Sequence, residues 1–288
     1  MRTLCLAFVL TLAFSWAQAQ PGQPSGNAVS ALPRPDHVVL VVEENKSFKQ
    51  IINNSAAPYI NSLVPRAALF TQSFAITHPS QPNYLALFSG DTHGVTDNRC
   101  PITLTGPNLA SALAKKNLSF ATYSQSMPSM GYTGCGYGNY QRKHNPAANW
   151  QGSNVSPDMN LPFTTFHWNY SVLPTVSIVV PDQMNDMHDG EPQEAISRGD
   201  KWLQANIEPF LKWAQRNNSL LILTWDEDDD TSNNHIVTMF IGPMVKPGAY
   251  STKINHYTVL RTLTDMFGLE SLGKSKSVAP IDHIWITK

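Results

Sequence analysis

"HVVLVVEEN", residues 37–45, is the stretch on which the fold turns. An unbroken run of β-branched and leucine side chains stops abruptly at two carboxylates and an amide. A strand with one wet face alternates apolar and polar residues. A continuous apolar run is covered on both faces, so its polar end must reach a cleft or the surface. Five further stretches read as strands: "AALFTQSFAI" (67–76), "LSFATYSQ" (118–125), "PTVSIVVPD" (174–182), "SLLILTWDE" (219–227) and "HIVTMFIGP" (235–243). Helical patterns lie between them at 108–117, 192–217 and 256–268, the last ended by Gly268. Strands alternating with helices predict an α/β fold, a mostly parallel central sheet with helices on both faces. Residues 126–172 break the alternation. They are rich in Gly, Pro, Asn and aromatics and read as a loop-rich insertion or lid within a single domain, 37–288.

The chain begins with Arg2, an apolar run from Leu4 to Phe14 and Ala17-Gln18-Ala19. This pattern predicts a signal peptide over 1–19, then a flexible leader over 20–36, and hence a secreted or periplasmic protein. Removing Arg2 takes 20 basic residues to 19 against 21 acidic ones, a net charge of −2. That balance offers no footprint for nucleic acid, and no later stretch has the length of a transmembrane segment. Cys5 leaves with the signal. Cys100 and Cys135 remain, and two cysteines in an exported chain predict one disulfide. The sequons at Asn53, Asn117, Asn169 and Asn217 matter only in a eukaryotic secretory route.

In open α/β sheets, ligands bind beyond the carboxyl ends of the strands. Four strand ends here are polar: Glu44-Asn45, His78 and Ser80, "PDQMNDMHDG" (181–190), and "WDEDDD" (225–230). Glu44, Asn45, Asp226 and Glu227 offer hard oxygen ligands. The bland readings are a helix cap at Asn45 and a solvated acidic turn at 226–230. A calcium loop at 226 fails, because Thr231 stands where Gly is needed and Val237 where the bidentate Glu belongs. Ser80, two residues before Pro82, reads as a helix N-cap and equally as a nucleophile. A hydroxyl in the field of a helix N-terminus is favoured as alkoxide and as phosphoryl acceptor. His78, His93, His144, His188, His235 and His256 mostly lie in loops or at element ends, several beside carboxylates, and together favour a polar anion or metal site. "GLESLGKS" (268–275) matches a phosphate-loop pattern but follows a helix instead of a strand, so it is set aside.

Together, "VVEENKSF", "PSQPNYLALFSGDTHGVTDN", "VPDQMNDMHDG", "GDKWL", "LTWDED" and "NHYTVLRTLTDMFGL" resemble the phosphoesterase family of secreted acid phosphatases and bacterial phospholipases C, within the alkaline phosphatase superfamily. The resemblance runs from residue 37 to about 270 in order. It implies an alkaline-phosphatase-like core, a metal at the strand ends and a phosphoserine intermediate. By motif, Glu44, Asn45, Asp226 and Glu227 match metal ligands, and Ser80 the nucleophile. Asn83 matches a phosphate-binding asparagine and His188 a phosphate-contacting histidine. "RKHNP" (142–146) would bring His144 to the substrate. We expect Ser80 and His188 to be catalytic, and Asn83, His144, His93, Asp186 and His235 to bind substrate. Lys46 departs from the family's arginine, and Asp182 from its asparagine. The extra carboxylate adds a candidate second ion position, from Asp182, Asp186, His188 and His235, beside the one divalent ion expected at the oxygen ligands. The function expected is an exported phosphomonoesterase acting on a small phosphate ester. The lack of the phospholipase C branch's C-terminal domains favours this over a phosphodiesterase or phospholipase C. A non-catalytic binding protein on the same fold is the rival from another class.

Overall fold

β1 (His37–Glu43) runs through the middle of the sheet. The computed structural model describes residues 32–166 and 168–286, so the expected signal peptide and most of the leader lie outside the described residues. After β1 come α1 (Phe48–Ile51), α2 (Pro58–Leu63), β2 (Ala68–Phe70), β3 (Ser73–Phe74), α3 (Ser80–Ser89) and α4 (Leu109–Ala114). Next are β4 (Phe120–Ser124), the hairpin β5 (Gly136–Tyr137) and β6 (Tyr140–Gln141), β7 (Asn160–Pro162) and β8 (Val176–Val180). The remainder is α5 (Pro192–Asn206), α6 (Glu208–Ala214), β9 (Ser219–Trp225), β10 (His235–Ile236), β11 (Thr238–Ile241), β12 (Gly248–Tyr250), β13 (Ile254–Asn255) and α7 (His256–Met266).

The main sheet has eight strands in the order β12-β2-β11-β9-β1-β8-β4-β7. β9, β1, β8, β4 and β7 form a parallel block, and β11 runs antiparallel to both its neighbours. Val38, Leu40 and Val42 of β1 join one core with side chains of α3, α4 and α7. Val39 and Val41 join the other, with α2, α5 and α6. The apolar run is continuous because both faces are covered, and each such side chain contributes about 1.5–3 kcal/mol of burial.

Three expected elements are broken. The stretch 67–76 is two strands: β2 stays in the main sheet, while β3 joins β10 and β13 in a second sheet. The stretch 235–243 divides likewise into β10 and β11. An apolar run carries no information about which sheet it joins, so the turn at 71–72 is invisible to periodicity. It carries the chain off the main sheet and delivers Ser80 above the strand ends. The helix expected over 192–217 breaks at Ile207, because Pro209 enters the first turn of α6 and cannot continue α5.

Within 126–172, β7 pairs with β4 at the sheet edge and the β5–β6 hairpin projects beside it. A disulfide joins Cys135, just before the hairpin, to Cys100. α3 ends at Gly90, whose φ of 77° suits glycine. A Cβ there would also meet the Leu272 carbonyl oxygen at 2.2 Å. Among the described residues, no helix is long and apolar enough to cross a membrane.

Candidate active site

The carboxyl ends of β1 and β9 are stitched together, and the loop after β8 is tied to them. Asp226 N–H donates to Glu43 O at 2.9 Å, and Glu44 N–H donates to Asp186 O at 2.8 Å. Glu44 and Asp226 therefore emerge side by side. Asn45 follows in the left-handed region, φ 47°, which asparagine tolerates. Its N–H donates to Asp226 Oδ1 at 3.2 Å. Asn45 is not a helix cap, since Ser47 precedes α1.

Ser80 is the first residue of α3, and Pro79 occupies the cap position with no side-chain cap bond. The cap reading of Ser80 is thus corrected: its hydroxyl is not spent on the helix backbone. It points at the strand ends, 3.2 Å from Glu44 Oε2 and 2.9 Å from Glu227 Oε1. Asn83, one turn on, accepts from Ile76 N–H and Thr77 N–H at 3.0 and 3.1 Å. Its amide nitrogen donates to Thr77 O at 2.8 Å and lies 3.3 Å from Glu227 Oε2. Asn83 therefore ties down the loop ahead of the serine while touching the carboxylate group. Tyr84 donates to Glu44 Oε1 at 2.7 Å.

His144 arrives from the insertion and is buried. Its Nε2 lies 3.1 Å from Glu44 Oε1, its Nδ1 lies 3.5 Å from Asp186 Oδ2, and its ring stacks on Tyr84. The His188 ring is 6.1 Å from that of His144, and its Nδ1 lies 2.7 Å from Asp189 Oδ1. Asp186 accepts the His188 N–H at 2.8 Å. Glu44, His144 and Asp186 bring donor atoms within 4.8 Å of one another, a group able to hold a metal ion.

Other expected residues are placed elsewhere. His235 is stacked between Phe48 and Phe74, with Nε2 2.9 Å from Thr71 O. His93 sits beyond the opposite end of α3 from Ser80, with Nε2 2.9 Å from Ser89 Oγ and its ring edge on Trp150. There it lines a cavity of about 440 Å³ with Lys115, Lys116 and Lys276. α3, α4 and α7 all end at this cavity. Asp182 is spent on its own turn, accepting from Ser126 Oγ, Met184 N–H and Asn185 N–H. The second ion position expected from Asp182, Asp186, His188 and His235 is therefore not assembled.

Four further residues line the site: Tyr84 and Lys46, given no role in the sequence, and His78 and His256, read there only as members of the histidine group. Tyr84 was legible, because Ser80, Asn83 and Tyr84 stand at i, i+3 and i+4 on one helical face. Lys46 is buried, with Nζ donating to Met187 O at 2.7 Å and Asn45 O at 3.1 Å, so it clasps two site loops. His256 Nε2 lies 2.7 Å from Asp226 O. His78 Nδ1 lies 2.9 Å from Glu227 Oε2. No spacing rule announces these last two contacts.

Burial dominates the electrostatics. It pushes Asp226 and Asp186 well above the usual carboxylate range, with the charge of Glu44 adding to it, and it raises Glu44 itself. Glu227 is pushed up to about 8 by burial and then by Glu44. Burial, then Lys143 and His188, holds His144 well below its ordinary value. Carboxylates left without a cation behave this way. One further feature fits a divalent ion: Asp226 Oδ2 and Asp186 Oδ2 are buried without a hydrogen-bond partner, and hard carboxylate oxygens of this kind suit a cation. With its amide nitrogen turned toward the site, Asn45 donates to Glu44 Oε2 at 3.1 Å and to Glu227 Oε1 at 3.2 Å.

A buried serine at a helix start faces buried carboxylates at the ends of parallel strands, on an alkaline-phosphatase-like α/β fold. The chain belongs to the Phosphoesterase family, whose model matches residues 52–270, and it is a hydrolase of phosphoric ester bonds. It is 47% identical to a phosphatidylinositol-3-phosphatase of Mycobacterium tuberculosis, over 99% of this chain and 94% of that protein. It is 29% identical to an acid phosphatase of Aspergillus fumigatus, over 94% of this chain and 66% of that longer protein. Among solved structures, an alkaline phosphatase superfamily protein of Vibrio parahaemolyticus is alike in fold. It matches with a TM-score of 0.62 at 12% identity, over 87% of this chain and 71% of that one.

Proposed function

We propose that the protein is an exported, metal-dependent phosphomonoesterase working through a phosphoserine at Ser80. The observation that carries this is the Ser80 hydroxyl, buried at the start of α3 and within 3.2 Å of both Glu44 and Glu227. Glu44, Asn45, Asp226 and Glu227 would hold the ion, and an all-oxygen set suits Mg²⁺, Ca²⁺ or Mn²⁺. Glu44, His144 and Asp186 are the second position if two ions bind. Bound there, an ion would supply positive charge to the phosphoryl oxygens and favour the serine alkoxide.

The chain's own groups do the rest. Ser80 Oγ gives its proton to the carboxylate group and attacks phosphorus in line. The new O–P bond forms as the bond to the leaving alcohol breaks, and the α3 N-terminus favours the attached phosphoryl group. His188, the more exposed of the two site histidines, donates the proton that the leaving oxygen needs. Water then attacks the phosphoserine, releasing phosphate and restoring the hydroxyl. Catalysis here is mainly positioning and charge stabilisation. The names of the two curated relatives, both phosphatases, support monoesters over diesters. The disulfide supports export, because such bonds persist in oxidising compartments.

The test is turnover of p-nitrophenyl phosphate and bis-p-nitrophenyl phosphate, each with chelator and with restored Mn²⁺ or Mg²⁺. The expected result is faster monoester hydrolysis, lost with chelator and regained with metal. A faster diester, or activity indifferent to chelation, overturns the reading.

A further inference from the structure

His78 has no place in the mechanism above, yet it touches the residue that accepts the nucleophile's proton. Its imidazole bridges two structures. On one side, Nδ1 lies 2.9 Å from Glu227 Oε2. On the other, Nε2 lies 3.1 Å from Asp228 Oδ1 and 3.3 Å from Asp230 Oδ1. Asp228 is a fixed anchor. It is buried, and its carboxylate accepts the N–H groups of Asp230, Ser232 and Asn234 at 2.8, 2.7 and 3.0 Å. The turn it builds also grips the backbone around His78. Asn234 Nδ2 donates to Thr77 O at 3.0 Å, and Ala75 N–H donates to Asn234 O at 2.9 Å. Both the ring and the main chain of His78 are therefore referenced to one rigid turn.

We propose that His78 is a positioning residue that fixes the Glu227 carboxylate for metal binding and for its contact with Ser80. The inference rests on Glu227 being a metal ligand, as read above. The carboxylate needs such a hold. Its Oε1 accepts from Ser80 at 2.9 Å, while Oε2 has only Asn83 Nδ2 at 3.3 Å besides His78. A glutamate side chain has three rotatable torsions. Unless Oε2 is pinned, Oε1 is free to swing off the serine. A proton on Nδ1 donated to Oε2 supplies the pin, and the Asp228 turn aims that nitrogen. This is the arrangement by which a hydrogen-bonded neighbour orients a metal-binding side chain.

The test measures Mn²⁺ binding by chelator competition, independently of turnover, and steady-state hydrolysis of p-nitrophenyl phosphate across Mn²⁺ concentrations. His78→Ala should weaken Mn²⁺ binding about 10- to 100-fold. Its lost kcat/KM should return largely as Mn²⁺ is raised to saturation. His78→Asn keeps an N–H near the Nδ1 position but loses the Nε2 contact to Asp228, so it should weaken both measures clearly less than His78→Ala does. That variant also keeps the test sound if His78→Ala folds poorly, which circular dichroism reports. Wild-type Mn²⁺ affinity in His78→Ala overturns the proposal, as does equal weakening in the folded alanine and asparagine variants. Lost activity at saturating metal also overturns it, since His78 would then touch the substrate. Glu227→Gln separates the two layers. If that variant binds Mn²⁺ normally, the ligand reading itself fails. If it loses Mn²⁺ while His78→Ala keeps it, only the role of His78 fails.

Discussion

Neutralising Glu227 should make the metal-stripped protein more stable at alkaline pH, although the change removes a carboxylate proposed to bind metal. Burial, reinforced by Glu44, lifts Glu227 from its ordinary 4.5 to about 8. The folded state therefore holds a proton that the unfolded chain has already lost between those two values. Stability is full below about pH 4.5 and falls as pH rises to about 8. At about 1.4 kcal/mol per pH unit, the gap sets a ceiling of about 5 kcal/mol. The side chain is only 4% exposed, so solvent screening removes little of this. Relaxation of the neighbouring carboxylates removes more, and Asn83 and His78 give up a charged acceptor, about 1 kcal/mol each. We therefore expect chelated Glu227→Gln to exceed chelated wild type by about 1–3 kcal/mol at pH 8.5, or roughly 3–10 °C in Tm for a domain of this size. The two should melt together below pH 4.5. Excess Mn²⁺ should reverse the order, since at a thousandfold over Kd it adds about 4 kcal/mol to the wild type alone. Scanning calorimetry in EDTA from pH 4 to 9, then with Mn²⁺, reads all three outcomes. A chelated variant less stable than wild type at pH 8.5, or two parallel pH profiles, would refute the argument that burial holds this carboxyl neutral.

Ser80→Ala should reduce kcat by at least about 10³, because the covalent route loses its first step. The hydroxyl caps nothing, so the variant's Tm should fall only by the few degrees that the bonds to Glu44 and Glu227 contribute; rapid-quench labelling should trap phosphoprotein in wild type and none in the variant. Replacing Cys100 and Cys135 together by Ser opens a loop of sequence separation 35 and should remove about 3–4 kcal/mol, measured by urea unfolding, while the reduced wild type should unfold like the variant. Gly199→Ala puts a Cβ 2.5 Å from Met187 Cγ and 2.9 Å from the Asn185 carbonyl oxygen, on the loop that holds Asp186 and His188. It should destabilise by about 1–3 kcal/mol and lower kcat. Wild-type urea stability and wild-type kcat in this variant would show that the close helix–loop contact does not hold the loop.

The order and chemistry of the strand ends were legible in the chain. "HVVLVVEEN" had to be a strand covered on both faces, because a solvated face would have broken the apolar run, and its polar tail had to reach a cleft or the surface. Helical spacing alone placed Asn83 one turn on from Ser80, and the same spacing held Tyr84, unread, on that face. The compartment argument paired Cys100 with Cys135. The pairing of ends was not legible. Ser80 and Glu227 stand 147 positions apart and meet only because β1 and β9 are neighbours while the turn at 71–72 swings α3 above them. Tertiary structure likewise separated histidines that look alike as loop residues. It drew His144 between Glu44 and Asp186, set His78 against Glu227, and committed His93 and His235 to packing elsewhere. A histidine's local sequence is the same whether it faces a carboxylate, a tryptophan or a phenylalanine. Only the crossing of distant segments, with the burial it imposes on four carboxyl groups, decides which one stands among those carboxyls.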